Sequence, residues 1–304
     1  MTSVQDTYAP PAISLDTAAH PALPSVVDKS GDVRVAGLVK LPTRDANASA
    51  RRRWRLPRGL ERLAGVVLLI GGWQVASSAG WLSPTVLAGP STVLHVGWTM
   101  VKDGTLGDAL WTSLQRVLWG LGFGIVIGAA LALFAGLSRI GDDLVDSNVQ
   151  MLRFVPIIGL QPLLILWLGL GETAKISLIV MGVAFPIYVQ TFSAIRSLDP
   201  RYRELSMVVG LSRVGLIRRV ILPGVLPGFL VGLRMATAVA WLLLVFAEQM
   251  NAHSGLGYLM IRAQTFFQTD VIVLCLITYA VLGLISDALI RLLERRLLRW
   301  APGR

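Results

Sequence analysis

Six long apolar stretches constrain the fold of this chain more than any other feature. A helix needs roughly 20 apolar residues to cross a hydrocarbon core about 30 Å thick. The stretches come close to that length at approximately 61–80, 114–137, 154–170, 175–195, 225–248 and 271–291. Only 15% of the residues are charged, against about 25% in soluble domains. The sequence therefore predicts an all-α integral membrane protein of about six transmembrane helices, with a transmembrane domain at 61–300.

Residues 1–60 have a different composition, with six prolines and no sustained apolar period. Such a segment cannot bury a core, and we expect a disordered cytoplasmic tail. The run Arg51-Arg52-Arg53-Trp54-Arg55 near its end could be a twin-arginine export signal or the cytoplasmic anchor of the first span. We favour the anchor because five further apolar stretches follow it.

Basic residues mark the predicted cytoplasmic side, since short cytoplasmic loops are enriched in Lys and Arg. The presumed inside segments hold Arg51 to Arg58, Arg139 and Arg153, six arginines between Arg196 and Arg219, and five from Arg291 to Arg304. The presumed outside segments hold only Lys102, Lys175 and Arg262. Both termini are thus predicted to be cytoplasmic. The net charge of +10 reflects this topology, and we expect no nucleic-acid partner because no basic stripe carries interleaved aromatic residues.

The sequence offers no catalytic or metal-binding machinery. Cys275 is the single cysteine, and the three histidines are scattered, so we expect neither a disulfide nor a metal site. The chain lacks a G-x-x-x-x-G-K-[ST] phosphate loop, a G-x-S-x-G elbow and an H-E-x-x-H helix. We therefore expect no catalytic residue and no cofactor bound by this chain.

Small residues recur at every fourth position of the second span and share one helical face. They are Gly120, Gly124, Gly128, Ala132 and Gly136. Such a face lets two helix backbones approach closely in lipid. We favour packing within one subunit over a seam between two copies.

The third span is short and interrupted by Pro156, Gly159 and Pro162, with Gln161 inside it. Backbone groups freed at membrane depth must be buried in protein or line a cavity. We therefore place this span near a transport pathway.

The inside segment 197–223 has the signals of two short helices joined at a glycine. Asp199-Pro200 supplies an N-cap acceptor and a proline at the first helical position. Gly210 can adopt the left-handed conformation that ends a helix. Ser212 can cap a second helix, which we expect to stop at Pro223. The apolar positions could pack one face on the spans and offer another to a groove; they are Leu205, Val208, Val209, Ile217, Val220 and Ile221.

This segment resembles the cytoplasmic loop of ABC importer permeases. The family consensus is Glu-Ala-Ala, three residues, Gly, nine residues, Ile, one residue, Leu-Pro. Here the same spacing reads Glu204-Leu205-Ser206, Gly210, Val220 and Leu222-Pro223. Leu205 and Ser206 replace the two alanines, and Val220 replaces the isoleucine.

The resemblance extends over about 61–300 and is closest to permeases for nitrate, taurine and aliphatic sulfonates, with aliphatic sulfonate permeases nearest. It is carried by Gly136 to Arg139, Gln150 to Arg153, Leu163 to Gly169, Glu172 to Lys175, Pro186 to Tyr188, Gly255 to Tyr258 and Gln268 to Val271. It implies the type I importer permease fold in a bacterial inner membrane. The implied partners are two copies of an ATP-binding subunit that holds ATP and Mg, an extracytoplasmic substrate-binding protein, a second copy of this chain and the lipid bilayer.

In that family the loop is a coupling helix inserted into a cleft of the ATPase. The residues implied in coupling are Glu204, Leu205, Ser206, Gly210, Leu211, Val220, Leu222 and Pro223. An amphipathic loop lying on lipid headgroups is the alternative. Pro223-Gly224 and Pro227-Gly228 fit either a hinge or simple helix termination.

Polar residues inside the spans are candidates for the substrate pathway. Arg234 requires a partner, because a charge at the centre of a span costs about 2.5–3.5 kcal/mol. We favour a buried structural pair with Asp287 over direct contact with an anionic substrate. Glu248 is interpreted as a gate or packing residue, since its charge argues against binding an anion. The remaining candidates are Gln161, Trp167, Tyr188, Gln190 and Trp241, although interfacial anchoring also explains aromatics near span ends.

The sequence-based hypothesis is a permease subunit, not an enzyme, that moves an aliphatic sulfonate inward while a separate ATPase hydrolyses ATP. Taurine, nitrate and bicarbonate are alternative substrates. A secondary transporter or channel that needs no ATPase is the runner-up, and a membrane scaffold without transport is a third candidate.

Overall fold

A computed structural model of the protein describes residues 58–83 and 85–300. These residues form twelve α-helices and no strand. The α-helices are α1 (Arg58–Ser78), α2 (Pro90–Lys102), α3 (Thr105–Leu137), α4 (Arg139–Gly141), α5 (Ser147–Leu152), α6 (Gln161–Leu168), α7 (Glu172–Arg196), α8 (Pro200–Val208), α9 (Arg213–Leu216), α10 (Leu222–Asn251), α11 (Leu256–Thr265) and α12 (Thr269–Leu297). Two π-helical segments lie at Asp142–Asp146 and Ile217–Ile221, and a 3-10 helix at Ile157–Leu160. The tail was predicted to span residues 1–60. Its residues 1–57 lie outside the described residues, and its last three belong to α1.

Each of the six apolar stretches coincides with a helix, but the helices differ from the predicted spans. Within the described residues, four helical segments are long and apolar enough to cross a membrane alone: Thr105–Leu137, Glu172–Arg196, Val214–Met250 and Thr269–Leu297. The segments Asp142–Leu152 and Ile157–Leu168 meet at a 91° bend and could form a fifth span or a re-entrant loop. The apolar part of α1 is shorter, from Ala64 to Ser78. The third predicted span is therefore one arm of a bent pair.

Helix α7 packs between α3 and α10 and forms the centre of the bundle. The small residues of α3 lie against it: a Cβ atom at Gly124 would come within 3.0 Å of the Val180 carbonyl oxygen, and one at Gly128 within 2.5 Å of the Ala184 carbonyl oxygen. Gly120 and Gly136 face Ile179 and Ile195 of α7. The predicted packing face within one subunit is confirmed.

The predicted stop at Pro223 is wrong. Helix α9 continues through the π-helical segment Ile217–Ile221 into α10, and Val214–Met250 forms a single helical span of 37 residues. Proline lacks the N–H for an α-helical bond and clashes with the carbonyl four residues earlier. The wider π-turn, in which the Leu222 N–H reaches the Ile217 carbonyl oxygen, accommodates the proline without a break.

The glycines after the two prolines contribute to helix packing. A Cβ atom at Gly224 would meet Leu198 at 2.7 Å, and one at Gly228 would meet the Cβ atom of Ala194 at 2.5 Å. Both glycines lie inside α10, so helix termination does not explain them. They let the start of α10 approach the end of α7 and the residues that follow it.

Helices α3 and α7 run parallel to each other and α10 runs antiparallel to both, which defines two ends of the bundle. We call the end with Leu137, Arg196 and Leu222 the loop end, because residues 197–223 lie there. The opposite end, with Thr105 and Glu172, is called the far end.

Candidate functional site

The loop of residues 197–223, called the coupling loop below, has the two predicted helix starts. The Asp199 carboxylate accepts the N–H of Arg201 at 2.9 Å, and the Ser212 hydroxyl accepts the N–H of Gly215 at 3.1 Å. Each side chain satisfies a backbone donor that the first turn leaves unpaired. Both predicted N-caps are confirmed.

The turn between the two helices is made by Gly210, as predicted. Its φ of +70° lies in the left-handed region that favours glycine. The Leu211 N–H bonds to the Ser206 carbonyl oxygen at 2.9 Å, which is the six-to-one bond of a Schellman motif. The left-handed turn sets the direction in which the second helix leaves the first.

The apolar residues of the coupling loop divide between two surfaces. Val208 at the end of α8 is 85% exposed, and Leu205 on the same helix and Val209 directly after it are also exposed. Ser206 is buried on the same helix, and Glu204 is exposed beside it. After the turn, Ile217, Val220 and Ile221 are half-buried. The first helix thus presents an apolar surface outward, while the second faces the spans. Leu211 and Pro223 are half-buried, and Leu222 is exposed.

A cavity of about 670 Å³ separates the coupling loop from the ends of α3 and α7. Its lining includes Gly136 and Leu137 of α3, Ile195 of α7, and Tyr202 of α8. Protein interiors are normally close-packed and contain no such space. The cavity therefore leaves room for α8 to move against the spans.

A network of charged side chains, called the far-end cluster, joins α3, α7 and α10. The Arg116 guanidinium contacts the buried Glu248 carboxylate at 2.6 Å (Nη1 to Oε1) and Glu172 at 2.6 Å (Nε to Oε2). Lys175 contacts the other oxygen of Glu172 at 2.9 Å. Two cations therefore balance two carboxylates, as buried charges require.

Glu248 also fixes the turn that precedes α11. Its carboxylate accepts hydrogen bonds from the Ser113 hydroxyl at 2.8 Å, the Gly257 N–H at 2.8 Å and the Tyr279 hydroxyl at 3.3 Å. Arg116 donates to the Ser254 carbonyl oxygen at 2.7 Å. The arrangement braces the far end and gives both carboxylate oxygens of Glu248 hydrogen-bond donors, so the structure favours packing for this residue over an open gate. Among the described residues, no group of His, Cys, Asp and Glu is placed to hold a metal.

The other pathway candidates do not converge on one cavity. Gln161 is buried and donates to the Phe246 carbonyl oxygen of α10 at 3.0 Å. Tyr188 is buried and donates to Asp146 at 3.0 Å, and Trp241 donates to Ser286 of α12 at 3.1 Å. Trp167 is 69% exposed. The contacts of Gln161, Tyr188 and Trp241 hold segments of the chain together. Gln190 contacts Met235, the residue after Arg234, at 3.4 Å.

Arg234 and Asp287 form the predicted pair, with 2.7 Å between Nε and Oδ1. The prediction of burial is wrong for this chain alone, because the Arg234 side chain is 51% exposed. Arg234 lines a cavity between α10 and α12, and that cavity keeps the guanidinium accessible.

Sequence reasoning did not assign a role to Ser113, Arg116 or Tyr279. A usable signal was present: Arg116, Glu172, Lys175 and Glu248 lie near the ends of three apolar spans that face the same side in the predicted topology. Opposite charges at matching depths of neighbouring spans predict a pair, because each alone is costly in lipid.

Comparison with known proteins identifies the family. Residues 124–299 match the model for the binding-protein-dependent transport system inner membrane component. The chain belongs to this family of ABC importer permeases. It is a transport subunit rather than an enzyme, and it works with an ATPase and a binding protein in the inner membrane. Membership of this family argues against the two other hypotheses, an ATPase-independent transporter and a membrane scaffold without transport.

Relatives match most of the chain. The chain is 45% identical over 82% of its length to the Escherichia coli (strain K12) protein named "Putative aliphatic sulfonates transport permease protein SsuC", with 92% of that protein covered. It is 38% identical to the Bacillus subtilis (strain 168) protein of the same name, over 86% of this chain and 95% of that one. The taurine transport system permease protein TauC of Escherichia coli (strain K12) is 30% identical over 83% of this chain and 94% of its own length.

A solved structure shares the fold. The crystal structure of an amino acid ABC transporter with histidines aligns over 66% of this chain and 97% of that chain, with a TM-score of 0.51 and 20% identity. This likeness supports the predicted type I importer permease fold for the helical bundle.

Proposed function

We propose that this chain moves aliphatic sulfonates inward as the permease of an ABC importer. The relatives named for aliphatic sulfonates are 45% and 38% identical to it, and the relative named for taurine is 30% identical. The observation that carries the mechanism is the apolar surface of α8, where Leu205, Val208 and Val209 are exposed on a helix fixed at both ends. An exposed apolar helix face fits a hydrophobic groove on a partner.

The groove belongs to the ATP-binding subunit, which carries ATP and Mg in this proposal. The coupling loop lies in the cytoplasm with both termini, as the arginines around it indicate. Each chain has one coupling loop, so two copies of the permease engage two ATPase subunits under two-fold symmetry. An extracytoplasmic binding protein delivers the substrate at the far end.

The continuous helix Val214–Met250 provides the route for motion. It runs without interruption from the coupling loop through Pro223 to Glu248, a distance of about 39 Å from Leu222 at 1.5 Å per residue. Closure of the ATPase subunits would move α8, and the cavity beneath α8 leaves space for that movement. A single helix then transmits the displacement to the far-end cluster.

Docking at the coupling loop is tested by co-purification of the permease with its ATPase. We expect Val208→Asp to abolish the complex, because a charge would be buried in an apolar groove. Val86→Asp is the matched control, since Val86 is 74% exposed and lies outside the loop. An intact complex with Val208→Asp contradicts docking at α8.

The substrate is tested with the complete importer in proteoliposomes. We expect alkanesulfonates to stimulate ATP hydrolysis more than taurine, nitrate or bicarbonate at equal concentration. Stimulation by nitrate or bicarbonate alone contradicts the sulfonate assignment and leaves the docking result unaffected.

A further inference from the structure

A cavity of about 690 Å³ lies between α10 and the end of α12, away from the coupling loop and the far-end cluster. Four of its lining residues are arginines: Arg234, Arg291, Arg295 and Arg299. The rest of the lining includes the apolar side chains of Leu230, Val231, Met235 and Leu298. The cavity thus combines a basic part with an apolar part.

The positive charge of this cavity exceeds the negative charge beside it. Asp287 contacts Arg234 through one oxygen and Arg291 through the other. Glu294 lies in the lining and Asp287 beside it, so four guanidinium groups stand against two carboxylates. The surplus of two positive charges gives this cavity a net positive charge, which attracts an anion.

The guanidinium groups remain accessible to a ligand. The Arg234 and Arg291 side chains are 51% and 55% exposed despite their contacts with Asp287. Arg291 and Arg295 lie one turn apart on α12 and therefore on one face. Guanidinium groups bind phosphate and sulfonate oxygens through paired hydrogen bonds.

We infer that this cavity binds a tetrahedral oxyanion carried on an alkyl chain, with the oxyanion on the arginines and the chain on the exposed side chains of Val231 and Met235. Two molecules have this chemistry: an anionic phospholipid of the surrounding membrane and an alkanesulfonate in transit. Basic pockets between helices at the cytoplasmic face are suited to phospholipid headgroups. The inference needs only the cavity and does not depend on the substrate proposed above.

The two sources are separated in nanodiscs that hold the full permease–ATPase complex. One arm contains phosphatidylcholine with phosphatidylglycerol, and native mass spectrometry counts the phosphatidylglycerol retained per permease. The other arm contains phosphatidylcholine alone and is titrated calorimetrically with pentanesulfonate. Retained phosphatidylglycerol assigns the site to lipid, and saturable pentanesulfonate binding assigns it to the cargo; either result supports the oxyanion site.

Two variants make the test specific. We expect Arg295→Gln/Arg299→Gln to weaken binding at least about tenfold, since two charge-assisted contacts are lost. Val231→Trp should also displace the ligand by filling the apolar part without changing the charge. Arg153→Gln, an exposed arginine outside the cavity, should bind as the parent does. Equal retention and equal binding in the parent and both cavity variants would overturn the inference, as would absence of binding by the parent.

Discussion

Arg116 and Glu248 are 132 residues apart in sequence, and their side chains meet at 2.6 Å with almost no exposure to solvent. This contact joins the start of α3 to the end of α10. Glu172 and Lys175 extend it to the start of α7. The three helices at the centre of the bundle are therefore bound together by charge at the far end and by close backbone packing along α3 and α7.

The far-end cluster predicts strong coupling between its members. Arg116→Gln should destabilise the permease by about 3–5 kcal/mol, because it leaves the buried Glu248 carboxylate without its cation. Glu248→Gln should cost less, because Arg116 keeps its contact with Glu172. The double variant should cost less than the sum of the two. Unfolding free energies of the detergent-purified permease measure this, with exposed Asp108→Asn as the control. Additive costs would contradict the pairing.

Close packing of α3 on α7 predicts intolerance of side chains at Gly128. Gly128→Leu should lower the unfolding temperature, since its Cβ atom would already lie 2.5 Å from the Ala184 carbonyl oxygen. Gly122 on the same helix has no atom within 4 Å of the corresponding position, and Gly122→Leu should leave the unfolding temperature close to that of the parent. Similar losses in both variants would contradict close packing at Gly128 as the cause.

The left-handed turn predicts a conformational cost at Gly210. Gly210→Ala should strain the turn by about 1–2 kcal/mol, and Gly210→Pro should disrupt it because proline fixes φ near −65°. Both should reduce recovery of the permease with its ATPase, Pro more than Ala. Gly107→Ala, at an open position with ordinary φ, is the control. Full recovery of the permease–ATPase complex with Gly210→Pro would show that docking does not require this turn.

Local signals made much of the fold and the coupling loop predictable. The caps at Asp199 and Ser212 and the turn at Gly210 depend on residues within a few positions of one another, so the sequence shows them directly. The glycine face of α3 follows from helical periodicity. Apolar length located the spans but not the bend before Ile157, where Pro156 interrupts one stretch.

Contacts between distant segments were harder to predict. Glu248 was recognised as unusual, yet its partners Ser113 and Arg116 lie on a helix whose register against α10 is set by tertiary packing. The predicted helix end at Pro223 was wrong. A proline usually ends a helix, but the π-helical segment Ile217–Ile221 accommodates Pro223 here. The exposure of Arg234 depends on a cavity, and the sequence contains no direct signal for a cavity.

The most direct test of the account is substrate-stimulated ATP hydrolysis by the reconstituted importer carrying Glu204→Arg. Glu204 is exposed at the start of the motif on α8, and charge reversal there should disrupt docking and uncouple the ATPase. Asp108→Arg, an exposed acid at the far end, controls for the change in charge. We predict that binding protein and alkanesulfonate no longer stimulate hydrolysis with Glu204→Arg and still do so with Asp108→Arg. Full stimulation with Glu204→Arg would contradict coupling through this loop.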